Sequence, residues 1–283
     1  MRKIINFFKK IIPPSLWQGI RRPYYKTLDF LRDLGPYVRD RKYCGFNLYY
    51  NRGNNIIRRL KNEPIFEKDM CEAIVKELGK AAKPVFLDIG ANIGLISSYV
   101  LSKVPNVNIH AFEPGPVQRS FLTMTAEKNR LGDNIKIYAE ALGKEIGMAT
   151  FYSHDPKYVA GDGFIDTGRA RDAHPIEVKI NTLDAWWTSA GKPAVQVVKI
   201  DTEGAELWVL EGGKEFLKAC KLVIFMEIEP QNLRVYPYTY LDILISLNKE
   251  NYSLFTLSGE TVTRHNFDGF IKEKQDTYVA RPI

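Results

Sequence analysis

The stretch Val85-Phe-Leu-Asp-Ile-Gly-Ala-Asn-Ile-Gly94 decides the fold of this 283-residue chain. Four apolar residues surround Asp88, which is typical of a buried strand, and the glycines that follow indicate a tight turn opening a helix. In an open α/β sheet, ligands bind outside the carboxyl ends of the strands. The sequence therefore predicts that the loop over residues 90–94 contacts a ligand.

Helix and strand patterns alternate on both sides of this stretch from about residue 66, which predicts an α/β domain with a mainly parallel sheet. The predicted strands cover residues 85–88, 108–112, 135–141, 195–201 and 222–228. A C-terminal hairpin is predicted between residues 254–257 and 277–280. Residues 147–184 break the alternation, and we interpret them as an insertion that carries two strands of its own.

Acidic residues end the five predicted parallel strands, and the loop lacks part of a dinucleotide fingerprint. The acids are Asp88, Glu113, Glu140, Asp201 and Glu227. Such a ring of carboxylates repels a pyrophosphate and favours a cation. Asn92 also replaces the second glycine of the G-x-G-x-x-G pattern. Both features favour S-adenosylmethionine, which carries a sulfonium and an ammonium group but no phosphate. Glu113 lies 23 residues after Gly90, where an acid can accept both ribose hydroxyls.

The second informative stretch is Val197-Val-Lys-Ile-Asp-Thr-Glu-Gly-Ala-Glu206. Side chains alternate along a strand, so Lys199 and Asp201 are predicted to share a face, with Asp201 at the mouth of the sheet. A buried strand seldom keeps a charged pair without a function. Glu203 and Glu206 fall in the first turn of the next helix, where acids commonly stabilise the helix, and we favour that interpretation for them.

The combination of FLDIGANIG, IHAFEP, VKINTLDAW, VVKIDTEGAELWVLEGG and VIFMEIEP resembles the FkbM-type methyltransferases, a branch of the class I S-adenosylmethionine-dependent enzymes. The resemblance covers roughly residues 84–230, and KIDTEGAE is its most specific block. It implies a Rossmann-like, seven-stranded, mainly parallel sheet and transfer of a methyl group. The acceptor is typically a hydroxyl oxygen of a sugar, a glycan, a polyketide or another small natural product.

The resemblance also implies roles for individual residues. The methionine part of the cofactor would lie against four residues of the first stretch, and the ribose and the adenine against three further positions. These residues are Asp88, Gly90, Asn92 and Gly94 for methionine, Glu113 for ribose, and Glu140 or Ala141 for adenine.

Methyl transfer to oxygen is faster when a base removes the proton of the acceptor hydroxyl. Asp201, paired with Lys199, is the first candidate base, and Glu227 is the second. His154 and His174 of the insertion come third. Asp201, Glu203 and Glu227 could also supply hard oxygen ligands for Mg²⁺, but our primary prediction contains no metal.

The first 65 residues form a basic, aromatic extension to a methyltransferase domain predicted over residues 66–283. Residues 1–42 carry 11 Lys and Arg against 3 Asp and Glu, a charge of +8, whereas the rest of the chain has a charge of −1. Residues 1–12 predict an amphipathic helix ended by Pro13 and Pro14. This helix could hold the protein reversibly on an anionic membrane, or it could dock on the catalytic domain or on a second subunit.

Composition excludes several other classes of protein. The three cysteines, Cys44, Cys71 and Cys220, show no CxxC spacing, which argues against a disulfide scaffold and favours a reducing cytoplasm. The nearly neutral body predicts no nucleic-acid partner. Two alternatives stay open at this point: an NAD-dependent oxidoreductase, and a membrane-docked binding module without catalysis. The predicted location is cytoplasmic, with peripheral contact at the inner face of the membrane.

Overall fold

The computed structural model describes residues 38–51, 54–153, 161–168, 173–273 and 275–283. Residues 40–283 form one compact unit. The amphipathic helix predicted over residues 1–12 lies outside the described residues, and so does His154. Because most of the extension is outside them as well, the domain boundary at residue 65 stays a prediction. Within the described residues, no helix has the length and apolar character needed to cross a membrane.

Helices and strands alternate along most of the described chain. The helices are α1 (Asn55–Arg59), α2 (Lys68–Leu78), α3 (Leu95–Lys103), α4 (Pro116–Lys128), α5 (Leu183–Ser189), α6 (Glu206–Glu211), α7 (Lys214–Cys220), α8 (Pro230–Leu233), α9 (Tyr240–Lys249) and α10 (Phe267–Lys272). The strands are β1 (Val38–Tyr43), β2 (Phe46–Asn51), β3 (Val85–Ile89), β4 (Asn108–Phe112), β5 (Ile135–Tyr138), β6 (Ala141–Leu142), β7 (Gly147–Ser153), β8 (His174–Asn181), β9 (Val197–Ile200), β10 (Val223–Glu227), β11 (Tyr252–Thr256), β12 (Thr261–Val262) and β13 (Thr277–Pro282).

The central sheet has the strand order β12-β11-β13-β10-β9-β3-β4-β5. The five strands from β10 to β5 are mutually parallel, and β13 and β11 are antiparallel to their neighbours. The mainly parallel sheet and the C-terminal hairpin are thus confirmed. The sheet has eight strands instead of seven, because the two-residue strand β12 pairs with the outer edge of β11.

The middle strands of the sheet form a continuous apolar core. β3 and β9 are buried along almost their whole length, as expected of parallel strands covered on both faces. Leu87, Ile89, Val198 and Ile200 belong to one cluster, which extends to the buried Trp186 of α5. This packing fixes the carboxyl ends of β3 and β9 side by side, and the residues after them form the site.

The predicted insertion contains the two expected strands. β7 and β8 pair antiparallel, with Ala149 opposite Val178, and β6 pairs with β8. This small sheet has its own apolar cluster, in which Phe151 and Val178 pack with Ala141 of β6.

The residues before the predicted methyltransferase domain also have a defined structure from β1 onward. β1 and β2 form a two-stranded sheet. The Asn129 amide, just after α4, joins β2 to that helix: its Oδ1 accepts from Asn47 N at 2.9 Å, and its Nδ2 donates to Asn47 O at 2.8 Å. Tyr49 N also donates to Thr125 Oγ1 at 3.0 Å. No period is recognisable in the sequence here, because these bonds join residues about 80 positions apart.

Candidate active site

The glycine loop after β3 is shaped by two close approaches. A Cβ on Gly90, whose φ is +78°, would lie 1.8 Å from the backbone oxygen of Asp201. A Cβ on Gly94, with φ +85°, would lie 2.5 Å from Leu122. Asn92 between them adopts a left-handed φ of 52°, a conformation that asparagine tolerates better than most residues. The loop therefore holds its backbone directly against the end of β9.

Glu113 follows β4 and ties this loop to the neighbouring strand. Its Oε2 accepts a hydrogen bond from Asn92 N at 2.8 Å, and its Oε1 accepts from Gly115 N at 2.7 Å. The side chain is almost fully buried. Burial raises the pKa of Glu113 to about 7, although both backbone amides favour the ionised carboxylate.

The first cavity lies at the carboxyl ends of β3, β4 and β9. Its lining includes Gly90, Asn92, Glu113 and Ala141 from the predicted cofactor set, together with Asp201. Asp88, Gly94 and Glu140 are absent from this lining. The Glu140 carboxylate instead accepts a hydrogen bond from Asn181 Nδ2 at 2.9 Å, so of the two positions predicted near adenine, only Ala141 faces the cavity.

Gln118 and Asp162 also line the first cavity, and sequence reasoning missed both. Gln118 Nε2 donates to Asp162 Oδ2 at 2.7 Å, and Ser153 Oγ donates to the same oxygen at 3.1 Å. Gln118 is buried, and its Oε1 has no hydrogen-bond partner in the described part of the chain. A buried, unsatisfied acceptor beside a cavity fits a ligand that donates a hydrogen bond there. No sequence signal linked these residues, which lie 44 positions apart.

Lys199 is the buried charge at the centre of the site. Its Nζ lies 3.1 Å from Asp201 Oδ2 and 3.6 Å from Asp88 Oδ1, and it donates to Gly90 O at 2.8 Å. Burial opposes its charge, but Asp201, Asp88 and Glu67 outweigh that effect and raise the pKa of Lys199, which keeps it protonated. The predicted pairing of Lys199 with Asp201 on one face of the strand is confirmed.

Asp88 lies beneath the glycine loop. It is fully buried, and Ser97 Oγ of α3 donates to its Oδ2 at 2.6 Å. Its other oxygen faces Lys199. Asp88 therefore stabilises the lysine and the start of α3 from behind the cavity.

Asp201 and Glu227 end two adjacent parallel strands and form a coupled carboxyl pair. The charge of Asp201, followed by burial and by a side-chain hydrogen bond between the two groups, raises the pKa of Glu227 well above its usual range. Two carboxylates so close cannot both ionise easily. Lys199 beside Asp201 favours the ionised form of Asp201, and the raised pKa of Glu227 favours its protonated form.

The loop between β9 and α6 is held in place by Glu206. Its Oε1 accepts from Thr202 N and Gly204 N, both at 3.1 Å, and from Thr202 Oγ1 at 2.9 Å. Glu206 is buried in the first turn of α6, as predicted, but its side chain stabilises the preceding loop, and Glu203 lies before the helix and not in its first turn as predicted. Glu203 adopts a left-handed φ of 54° and accepts from Asn232 Nδ2 at 2.7 Å.

A second cavity lies on the other side of the glycine loop. Residues of the strand ends, including Lys199, Asp201 and Glu227, line it together with Arg59 from the predicted extension and Glu67 from the start of α2. Sequence reasoning missed Arg59 and Glu67, because no periodic pattern connects residues 54–67 to the sheet.

The remaining candidates do not join the site. His174 is exposed at the start of β8 and lines neither cavity. Among the residues that the structure describes, no group of three or more His, Cys, Asp or Glu side chains is arranged to hold a metal ion.

The strand order, the glycine loop after the first parallel strand and the buried acid after the second define a class I, Rossmann-like methyltransferase domain. The family model described as the methyltransferase FkbM domain matches residues 88–254. This chain belongs to the FkbM methyltransferase family.

Similar proteins include two curated methyltransferases. The 2-O-methyltransferase NoeI of Sinorhizobium fredii is 29% identical over 162 residues, which cover 53% of this chain and 65% of NoeI. The hexuronic acid methyltransferase AglP of Haloferax volcanii is 28% identical over 158 residues, which cover 56% of this chain and 61% of AglP. The chain thus matches somewhat less than two thirds of the length of each relative.

The similar solved structures share little sequence with this chain. The methyltransferase FkbM from Methylobacillus flagellatus superposes with a TM-score of 0.44 at 14% sequence identity, over 70% of this chain and 43% of that one.

Proposed function

We propose that this protein transfers a methyl group from S-adenosylmethionine to a hydroxyl oxygen of a sugar, a glycan or another small natural product. The observation that carries the proposal is the charged group formed by Lys199, Asp201 and Glu227 where the two cavities meet. The names of the relatives support an oxygen acceptor, since NoeI is a 2-O-methyltransferase and AglP acts on a hexuronic acid.

The residues around the first cavity fit S-adenosylmethionine. Gly90 lets the loop lie against the end of β9, where the Cβ of any other residue would meet the Asp201 backbone. We assign the ribose to Glu113, the methionine part to Asn92 and the loop over residues 90–94, and the adenine to Ala141 with Gln118 and Asp162. The unsatisfied Oε1 of Gln118 suits an amino group, and the carboxylates suit a cationic ligand.

Asp88 and Gly94 act indirectly in this proposal. Asp88 supports Lys199 and the start of α3, and Gly94 lets the loop turn into that helix while packing on Leu122. Glu140 accepts a hydrogen bond from Asn181 at the end of β8, and we assign it no direct contact with the cofactor.

Bound S-adenosylmethionine supplies an electrophilic methyl group on a positively charged sulfur. The chain supplies the base: Asp201 accepts the proton of the acceptor hydroxyl as the oxygen attacks. Lys199, 3.1 Å away, keeps Asp201 ionised before the step. Glu227 carries the proton of the carboxyl pair and donates a hydrogen bond to Asp201, which holds the base in position.

The direct test uses methyl-labelled S-adenosylmethionine with free sugars, nucleotide sugars and lipid-linked sugars as acceptors. We expect label in at least one hydroxyl-bearing product and calorimetric binding of the cofactor by the protein alone. Tight NAD binding without S-adenosylmethionine binding would contradict the proposal and favour an oxidoreductase. Cofactor binding without label transfer to any acceptor would favour a module without catalysis.

The basic N-terminal segment suggests the location at which the protein binds its acceptor. We propose that residues 1–12 make reversible peripheral contact with the anionic inner face of a membrane, close to a lipid-linked glycan acceptor. Six apolar and four basic residues separate around the predicted helix, which supports surface binding. The protein would then be cytoplasmic, and no nucleic-acid partner is needed.

A further inference from the structure

Glu67 has an unusual position at the start of α2. It is the N-cap residue of the helix, but its backbone is left-handed, with a φ of 46°, and its side chain makes no capping hydrogen bond. Glutamate rarely adopts this conformation, and backbone strain of this kind is concentrated at functional sites. The local helix therefore does not explain why a glutamate stands here.

Glu67 lies between two cavities and faces several charged groups. It lines the second cavity, and it also lines the adjoining cavity that contains Asp276. The charged groups that face it are Asp201, Lys199, Arg59, Asp276 and the more distant Glu227. Burial first, and then the charge of Asp201, raises the pKa of Glu67 to about 7. At neutral pH the group can both donate and accept hydrogen bonds.

Among the residues that the structure describes, the two cations that line the second cavity, Lys199 and Arg59, both lie beside acidic side chains. Lys199 is paired with Asp201. Arg59 lies 3.5 Å from Glu63 and 4.8 Å above the Phe66 ring, which fix it at the rim. Four carboxyl groups line the cavity, and the raised pKa values of two of them, Glu67 and Glu227, favour protonated forms that can donate hydrogen bonds. Carboxyl groups in such a setting suit hydroxyl groups, which both donate and accept hydrogen bonds.

We propose that residues 56–67 complete the acceptor site, and that Glu67 binds a hydroxyl of an uncharged polyhydroxyl acceptor next to the hydroxyl that is methylated. This subsite rests on the proposed function, because it places the acceptor beside Asp201. It discriminates against acceptors that carry a carboxylate or a phosphate close to the reacting hydroxyl.

The test measures binding by saturation-transfer NMR, with the full chain saturated by S-adenosylhomocysteine. The probes are methyl glycosides of glucose, galactose, mannose and fucose, with the matching uronates of the first three. We expect at least one uncharged hexoside to bind about tenfold more tightly than its uronate. Glu67→Ala should weaken that hexoside about fivefold to tenfold, since one hydrogen bond is lost. Glu67→Gln should bind the hexoside nearly as tightly as the parent does, because the amide still forms hydrogen bonds. The difference in affinity between the hexoside and its uronate should become smaller, because the negative charge is removed.

The matched control is Glu72→Gln, which changes an exposed glutamate of the same helix that pairs with Lys68. Its glycoside affinities should equal those of the parent. The melting temperature and the affinity for S-adenosylhomocysteine show whether the Glu67→Ala variant folds. If that variant does not fold, Glu67→Gln still tests whether the charge of Glu67 disfavours the uronates.

Three results would overturn the subsite: equal or tighter binding of the uronates, no glycoside binding by a protein that binds S-adenosylhomocysteine, or an unchanged affinity gap in Glu67→Gln. Failure to bind S-adenosylhomocysteine would instead contradict the proposed function.

Discussion

Asp201, the proposed base, lies 3.1 Å from the buried Lys199 ammonium, which favours its ionised form. Asp201→Asn keeps the shape of the side chain but cannot accept the proton, so we expect turnover to fall about 10²-fold or more. Cofactor affinity should change little. Steady-state kinetics and calorimetry separate the two quantities.

The control for this substitution is Asp133→Asn, which changes an exposed residue before β5, at the opposite edge of the sheet. It should leave turnover unchanged. Turnover of Asp201→Asn within a few-fold of the parent would make Asp201 a structural residue, and Glu227 would become the candidate base.

We expect Glu113 to give cofactor binding a pH dependence. In the proposed site the ribose hydroxyls donate hydrogen bonds to the ionised carboxylate, and burial raises the pKa of Glu113 to about 7. Binding therefore requires loss of a proton below pH 7, and the dissociation constant of S-adenosylhomocysteine should rise up to about tenfold per pH unit as the pH falls.

Glu113→Gln should bind more weakly at pH 8 and should lose this pH dependence, which calorimetry at pH 6, 7 and 8 would measure. If the variant keeps the pH dependence of the parent, another group is responsible, and Glu67 is the nearest candidate.

Sequence reasoning at the residue scale worked where one strand or one loop carried the geometry. Strand alternation was sufficient to pair Lys199 with Asp201. Sequence reasoning failed where distant segments meet. Gln118 of α4 is hydrogen-bonded to Asp162 of the insertion. Glu67 lines the cavity at the strand ends from a helix without a recognisable motif. Glu140 was assigned by position alone, and its contact with Asn181 depends on the pairing of β6 with β8.

At the scale of elements, the contact between the loops after β3 and β9 makes Gly90 irreplaceable. Gly90→Ala would place a methyl group against the Asp201 carbonyl and would strain a positive φ. We expect a loss of at least about 2 kcal/mol in the free energy of unfolding, together with loss of cofactor binding. Gly132→Ala is the matched control, because its Cβ would meet nothing within 4 Å. Urea denaturation of both variants checks the prediction, and equal stability would contradict it.

Asn129 supports the junction between β2 and α4. Asn129→Ala leaves Asn47 N and Asn47 O without their partners, so we expect a loss of about 1 to 3 kcal/mol. Glu127→Ala, an exposed change in the same helix, should have little effect. If urea denaturation shows both variants as stable as the parent, this junction contributes nothing to the folded unit.

The elements of the sheet were more predictable than the segments that flank it. Buried parallel strands are continuous apolar runs, so β3, β9 and β10 stand out in the sequence. The strand β12 has only two residues, too few for any period. β1, β2 and α1 are held by contacts with α4 and with the strand ends, and such long-range contacts leave no local pattern.

At the scale of the whole molecule, the uneven charge predicts a salt-sensitive association. The protein should float with anionic vesicles at low salt, and binding should fade as salt rises. Lys9→Glu/Lys10→Glu should abolish flotation, and neutral vesicles should not bind. Absence from both vesicle types, with a large loss of thermal stability on deleting residues 1–12, would instead indicate that this helix docks on the protein.

Lys199 connects the glycine loop to Asp201, since its ammonium group donates to the Gly90 carbonyl and pairs with the Asp201 carboxylate. In the proposed site, a cofactor that displaces the glycine loop would alter the position of Asp201, and an acceptor bound to Asp201 would act on the loop. We therefore expect the two ligands to be thermodynamically linked. Linkage is reciprocal, so the factor by which one ligand changes the affinity for the other is the same in both directions. Saturation of either cavity should therefore raise or lower the affinity for the other ligand by that common factor. The order in which the two ligands are added should not change the factor.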